Sequence, residues 1–161
     1  MTTNNDVLRT LRYALELDNP TLLGIFAEGD AGISARHLAA LLKGEEEDGF
    51  EPLDDALLAR LLDGLIARYR GRREPGPAAR PESLTRLSNN AILRALRIAL
   101  ELKDADLLAI MSLAGVAVSK PELSALFRRE DHRNYQPCGD QFLRTFLRGL
   151  GVWHRQGRPR A

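Results

Sequence analysis

Apolar residues fall on one stripe at Val7, Leu8, Leu11, Ala14 and Leu15, with Arg9, Arg12 and Glu16 on the polar side. That spacing of three and four gives a helix one apolar face. The stripe returns at Ile92, Leu93, Leu96, Ala99 and Leu100, beside Arg94, Arg97 and Glu101. Leu22, Leu23 and Ile25 predict a short second helix, matched by Leu107, Leu108 and Ile110. Asp18 and Asp104 are its N-cap candidates, and glycine ends it at Gly29 and near Gly115. Ser34 and Ser119 open a third helix carrying Leu38 and Leu41, or Leu123 and Leu126; "SKPE" from Ser119 to Glu122 reads as a capping box. The fourth helix carries Leu57, Leu58, Leu61, Leu62 and Leu65, or Phe142, Leu143, Phe146, Leu147 and Leu150.

The chain is therefore a duplication. Residues 5–65 align without a gap on 90–150, an offset of 85, and 23 of these 61 positions are identical. The expected fold is all-α: two tandem four-helix repeats, 4–70 and 89–151, joined by a Pro/Arg-rich linker at 71–88. A basic tail, 152–161, is expected to be disordered. A unit of roughly 65 residues has a modest core of its own. The repeats are thus expected to pack together about a pseudo-two-fold axis as one body.

Composition narrows the function classes. At 44% apolar and 28% charged the chain has the balance of a soluble globular protein, and it lacks an apolar run long enough to span a membrane. A single cysteine excludes an internal disulfide framework, and the start shows no basic region followed by an apolar run. A cytoplasmic protein is expected. Charge is uneven: residues 1–71 hold 7 Lys/Arg against 13 Asp/Glu, and residues 89–161 hold 12 against 7. Mutual attraction of the halves accounts for this, and an anionic partner for the second repeat is the alternative.

The duplication separates shared roles from new ones. "EEEDGFEPLDDALLARLLDGL" aligns with "EDHRNYQPCGDQFLRTFLRGL". Both copies hold an acid (Glu45, Glu130), an aromatic (Phe50, Tyr135), a proline (Pro52, Pro137) and an aspartate (Asp55, Asp140), which suits a loop leading into a helix. Arg9, Arg12, Glu16 and Asp55, with Arg94, Arg97, Glu101 and Asp140, are expected to form a structural polar network. Arg12 and Glu16 can pair within their helix. Arg12 would bridge to Asp55 or Glu45, and Arg97 to Asp140 or Glu130. The second copy alone has His132, Arg133, Asn134, Cys138 and Gln141. With Tyr135, Asp140 and Arg144 these make the candidate binding surface.

Chemistry is a minor expectation here. Cys138 stands before a helix start, where the dipole lowers a thiol pKa, and His132 is six residues away. Neither a third orienting group nor an oxyanion donor can be named, so no catalytic residue is assigned. His37, His132, His154 and Cys138 lack metal-ligand spacing, and no cofactor or metal is expected. Nucleotide-loop, zinc-protease and nucleophile-elbow motifs are absent from the sequence. Residues 106–130 look like a helix-turn-helix, but the turn is long, the matching segment of the first copy is acidic, and arginines stand only at the end of the second helix. Arg128, Arg129, Arg133, Arg144, Arg148 and the tail could still give a basic surface.

The duplicated N-x-x-L-R-x-x-R start, "GEEEDGF" and "HRNYQPCGDQFLRTFLRGL" resemble the bacterial YehS-like family, from Asn5 to about Leu150. The residues that match its pattern are Asn90, Arg94, Arg97, His132, Asn134, Cys138, Gly139, Asp140 and Gln141. The resemblance implies a tandem helical domain of unknown function and brings no activity with it. The expectation is a non-enzymatic binding or regulatory protein with a protein partner, nucleic acid being the second reading. The oligomeric state stays open.

Overall fold

The computed structural model describes residues 2–71 and 87–157, and among them every regular element is an α-helix. These are α1 (Asn4–Ala14), α2 (Asn19–Glu28), α3 (Ala35–Leu42), α4 (Asp55–Arg70), α5 (Asn89–Leu100), α6 (Asp104–Leu113), α7 (Lys120–Leu126) and α8 (Asp140–Arg155). Thr3, Asp18, Ser34, Asp54, Ser88 and Ser119 cap their helices, each side chain accepting from an amide of the first turn. Asp104 does not cap α6. The cap residue is Lys103, whose amide donates to Asp106, and Asp104 is the first residue of the helix. The 85-residue offset explains this, since Asp18 matches Lys103 and Asn19 matches Asp104.

The apolar stripes meet in a single core that runs through both repeats. Leu8, Leu11, Leu58, Leu93, Leu96 and Leu143 are fully buried. Within a repeat, α2 packs on α4 and α6 packs on α8. The first helices cross over: α1 packs chiefly on α8, and α5 on α4. The two α2–α4 type contacts are so close that only glycine fits. A Cβ on Gly64 would lie 1.8 Å from the Ile25 carbonyl oxygen, and one on Gly149 2.1 Å from that of Ile110.

Three sets of polar contacts across the repeats recur under the same two-fold relation. Arg70 Nε lies 3.2 Å from Glu101 and Arg155 Nε 3.7 Å from Glu16. Arg70 donates to the Ile98 carbonyl and Arg155 to that of Tyr13. The amide of Leu87 donates to Asp55, and that of Thr2 to Asp140.

The first repeat keeps the boundaries drawn from sequence, Asn4 to Arg70, and the second extends beyond them at both ends. Helix α8 continues through Arg155, and Trp153 is fully buried, so residues 152–155 belong to the second repeat and not to a frayed tail. Leu87 is buried and Ser88 caps α5, so the linker gives up its last two residues. The expected linker over 72–86 and the tail over 158–161 lie outside the described residues.

Candidate functional site

The starts of α1, α4, α5 and α8 share one face around the pseudo-two-fold axis. Asn5 fixes that face in the first repeat. Its amide nitrogen donates to the carbonyls of Leu41 and Glu51 at 2.9 Å each, and its oxygen accepts from the Leu53 amide at 2.9 Å. Asn90 does the same with Leu126, Gln136 and Cys138. One buried side chain thus ties the start of the first helix to the end of the third and to the loop before the fourth. Asn4 and Asn89 add a second tie. Each donates to an aspartate at the start of the fourth helix, Asp55 at 2.7 Å and Asp140 at 2.8 Å. The bond from Asn89, helped by the Thr2 amide, outweighs burial and holds the Asp140 carboxyl below its ordinary pKa.

A cleft of about 650 Å³ opens over the axis, lined by Asn4 and Asp55 from one repeat and by Asn89, Tyr135, Cys138 and Asp140 from the other. It adjoins a cleft of about 460 Å³ on the second repeat, lined by Ser88, Ala91, Arg94, Arg128, Arg129 and Tyr135 among others. Ser88, Asn90, Glu130 and Tyr135 line both.

The 130–141 loop borders these clefts. His132, Arg133, Asn134 and Gln141 are exposed and Tyr135 is half-buried. His132 Nδ1 accepts from the Asn134 amide at 3.0 Å, which shapes the turn. Arg144, on α8 beside the loop, donates to the Thr2 hydroxyl of the other repeat at 2.7 Å and to Gln141 on its own helix at 2.9 Å. The first-copy loop closes on itself instead: Lys43 Nζ donates to the Asp48 carbonyl, and the Gly44 amide donates to Glu47.

Cys138 does not match the surface assigned to it. It is buried, and burial, with Asp140 adding to it, pushes its thiol up to about 12. The helix-dipole effect expected from sequence loses to desolvation. This is the setting of a small core residue, not of a thiolate nucleophile.

The polar network also differs from expectation. Arg12 donates to Asn19 at 3.0 Å and Arg97 to Asp104 at 2.8 Å, so each joins the first helix to the start of the second. The bridges from Arg12 to Asp55 or Glu45, and from Arg97 to Asp140 or Glu130, do not form. Asn4 already reaches Asp55, and Arg12 lies about 12 Å further along α1 at 1.5 Å per residue. Glu16 turns to Arg155 of the other repeat instead of Arg12. Arg9 caps the end of α3 through the Lys43 carbonyl, and Arg94 caps α7 through that of Phe127.

Sequence reading missed Asn4, Asn5 and Asn89 as site-forming residues. Their signal was present, because an asparagine pair at the head of an apolar stripe occurs in both copies. The helix-turn-helix segment has little to offer a groove. Helix α7 has seven residues with a single basic one, Lys120, and Glu122 stands in its first turn. Among the described residues, no group of three or more His, Cys, Asp or Glu could hold a metal, and no helix is long and apolar enough to cross a membrane.

Comparison with known proteins agrees with this architecture. The family described as "Protein of unknown function (DUF1456)" matches twice, over residues 4–71 and 89–156, and so covers both repeats and the extended end of α8. The "Uncharacterized protein YehS" of Escherichia coli (strain K12) is 46% identical over 149 residues, which is 92% of this chain and 94% of that protein. No solved structure matches. Two tandem family matches, a close full-length relative and a duplicated four-helix fold together establish that this chain belongs to the DUF1456, or YehS-like, family.

Proposed function

We propose that the protein is a non-catalytic recognition module that docks a protein partner through the 130–141 loop and the adjoining arginine-bearing helix face. The observation that carries this reading is the contrast between the two loops. In the first repeat Lys43 and Glu47 satisfy their own loop. In the second, Arg129 pairs with Asp131 and His132 accepts from the Asn134 amide, but Arg128 and Arg133 are exposed and have no partner among the described residues. Exposed arginines beside a half-buried tyrosine are the residue types that anchor protein interfaces. The buried, unionised Cys138 favours recognition over chemistry.

Affinity capture from native lysate tests it, with nuclease present and at two salt concentrations. Wild type would retain a protein that His132→Ala/Arg133→Ala loses. Equal capture by wild type and variant would remove the loop from consideration. The basic surplus of the second repeat favours nucleic acid as a second reading. Material that is sensitive to nuclease and released steeply by salt would select it.

A further inference from the structure

The first repeat contains a carboxylate site that it fills itself. Asp6, third residue of α1, accepts from the Thr3 amide at 3.0 Å and is paired with the Arg9 guanidinium. Burial opposes ionisation of Asp6, but the Thr3 bonds and Arg9 outweigh it and hold the carboxyl below its ordinary value. The second repeat keeps the receiving groups at the same offset of 85: Ser88 stands for Thr3 and Arg94 for Arg9. The carboxylate alone is gone, because Ala91 stands for Asp6. A 460 Å³ cleft lies at this position, lined by Ser88, Ala91 and Arg94 and bordered by Arg128, Arg129, Glu130 and Asp131, of which Arg129 and Asp131 pair with each other at 3.4 Å.

We infer that this cleft binds a carboxylate from another molecule, seated over Ala91 between the Ser88 amide and the Arg94 guanidinium, where the first repeat holds Asp6. Arg128, which has no partner among the described residues, supplies a second cation at the rim. The inference deepens the protein-docking reading by naming the group the cleft takes, and it depends on that reading only for where the group comes from. Acidic side chains of a partner and a free organic acid present the same chemistry.

The test uses the full chain and a fluorescein-labelled hexaglutamate amide, read by anisotropy. Glutarate and hexaglutamine amide are competitors, and oligothymidylate is a parallel probe. Ala91→Asp restores the internal carboxylate and keeps every arginine. It also places an acid where Asp6 completes a capping box, so the variant is expected to melt no lower than wild type. Arg94→Gln removes the guanidinium, and Ser112→Asp adds the same charge outside the cleft lining. Hexaglutamate is expected to bind wild type and Ser112→Asp alike. Ala91→Asp and Arg94→Gln should each weaken it about tenfold or more, as loss of a charge-assisted bond predicts.

Displacement by glutarate at the peptide's own concentration supports the inference with a free acid as the source. Displacement by neither competitor supports it with a protein as the source. Unchanged binding in Ala91→Asp, an equal loss in Ser112→Asp, or tighter binding of oligothymidylate than of peptide overturns it. Absence of hexaglutamate binding also overturns it, and His132→Ala/Arg133→Ala capture then still decides the docking reading separately.

Discussion

Arg155 lies over the ring of Tyr13, its guanidinium carbon 4.2 Å from the ring centroid, and donates to the Tyr13 carbonyl at 3.0 Å. One side chain from the end of the second repeat thus closes the end of the first helix of the other repeat. The residue that completes this contact, Glu16, has a left-handed backbone with φ of 53°. Glu101, its counterpart, has φ of 54° and faces Arg70. Glycine is the usual residue in this conformation. A glutamate in both repeats indicates that the side chain compensates for the backbone cost.

Alanine and glycine at these two positions should therefore differ. Both lose an exposed ion pair worth about 0.2–1 kcal/mol. Only glycine also relieves the left-handed backbone, which costs a non-glycine residue about 1 kcal/mol. Urea unfolding should find Glu16→Gly and Glu101→Gly more stable than the matching alanine variants by about 0.5–1 kcal/mol. Equal midpoints for the alanine and glycine variants would show that the backbone strain is not real.

Asn5→Ala and Asn90→Ala should be among the most damaging single substitutions. Each leaves two carbonyls and an amide without the partner that the asparagine supplied. Unsatisfied buried groups cost about 1–3 kcal/mol each, so a loss of about 3–5 kcal/mol is expected where water does not fill in. The two variants should cost alike, since the bonds are duplicated. Chemical denaturation of both, side by side, measures this.

Cys138 should resist modification in the native state. With its thiol pushed up to about 12, almost none is thiolate near neutral pH. Ellman's reagent at pH 8 should react far more slowly with the folded protein than with free cysteine, and at the ordinary rate after denaturation. Fast native-state reaction would restore the nucleophile reading.

Asp140 makes part of the stability depend on acid. Hydrogen bonding from Asn89 and from the Thr2 amide, against the effect of burial, lowers its folded-state pKa below the ordinary 3.8. A carboxyl with a lowered folded pKa contributes its full stability above the unfolded value and loses it as pH falls through the folded value. Wild type should therefore exceed Asp140→Asn in thermal stability at pH 7. The gap should begin to close below about pH 4 and shrink further as acid is added. A gap independent of pH would show that packing, not charge, is what the aspartate supplies.

The helices and their buried faces were legible because they are local patterns, repeated. Leu22, Leu38, Leu61 and their counterparts in the second copy are all buried. What escaped was long-range or displaced by a residue. Asn5 reaches Leu41 and Glu51 through separations of 36 and 46 positions, which no periodicity reports. Trp153 lies beyond the end of the aligned stripe and amid basic residues, so composition hid a core side chain. The expected pairing of Arg12 with Asp55 or Glu45 rests on charge alone, whereas distance along α1 decides its partner. The Asp6-to-Ala91 difference was visible in the alignment, but its meaning required the geometry of Thr3 and Arg9.

The contacts across the axis are self-complementary. Each half carries both the arginine that closes a partner's first helix and the glutamate that receives it. Two identical halves could make the same assembly, but they would carry the same loop twice, with the acidic run Glu45 to Asp48 on both sides or on neither. Joining the halves in one chain removes that obligation. One copy keeps an aspartate bonded to its own helix start, and the other carries alanine at the same place without disturbing the shared contacts.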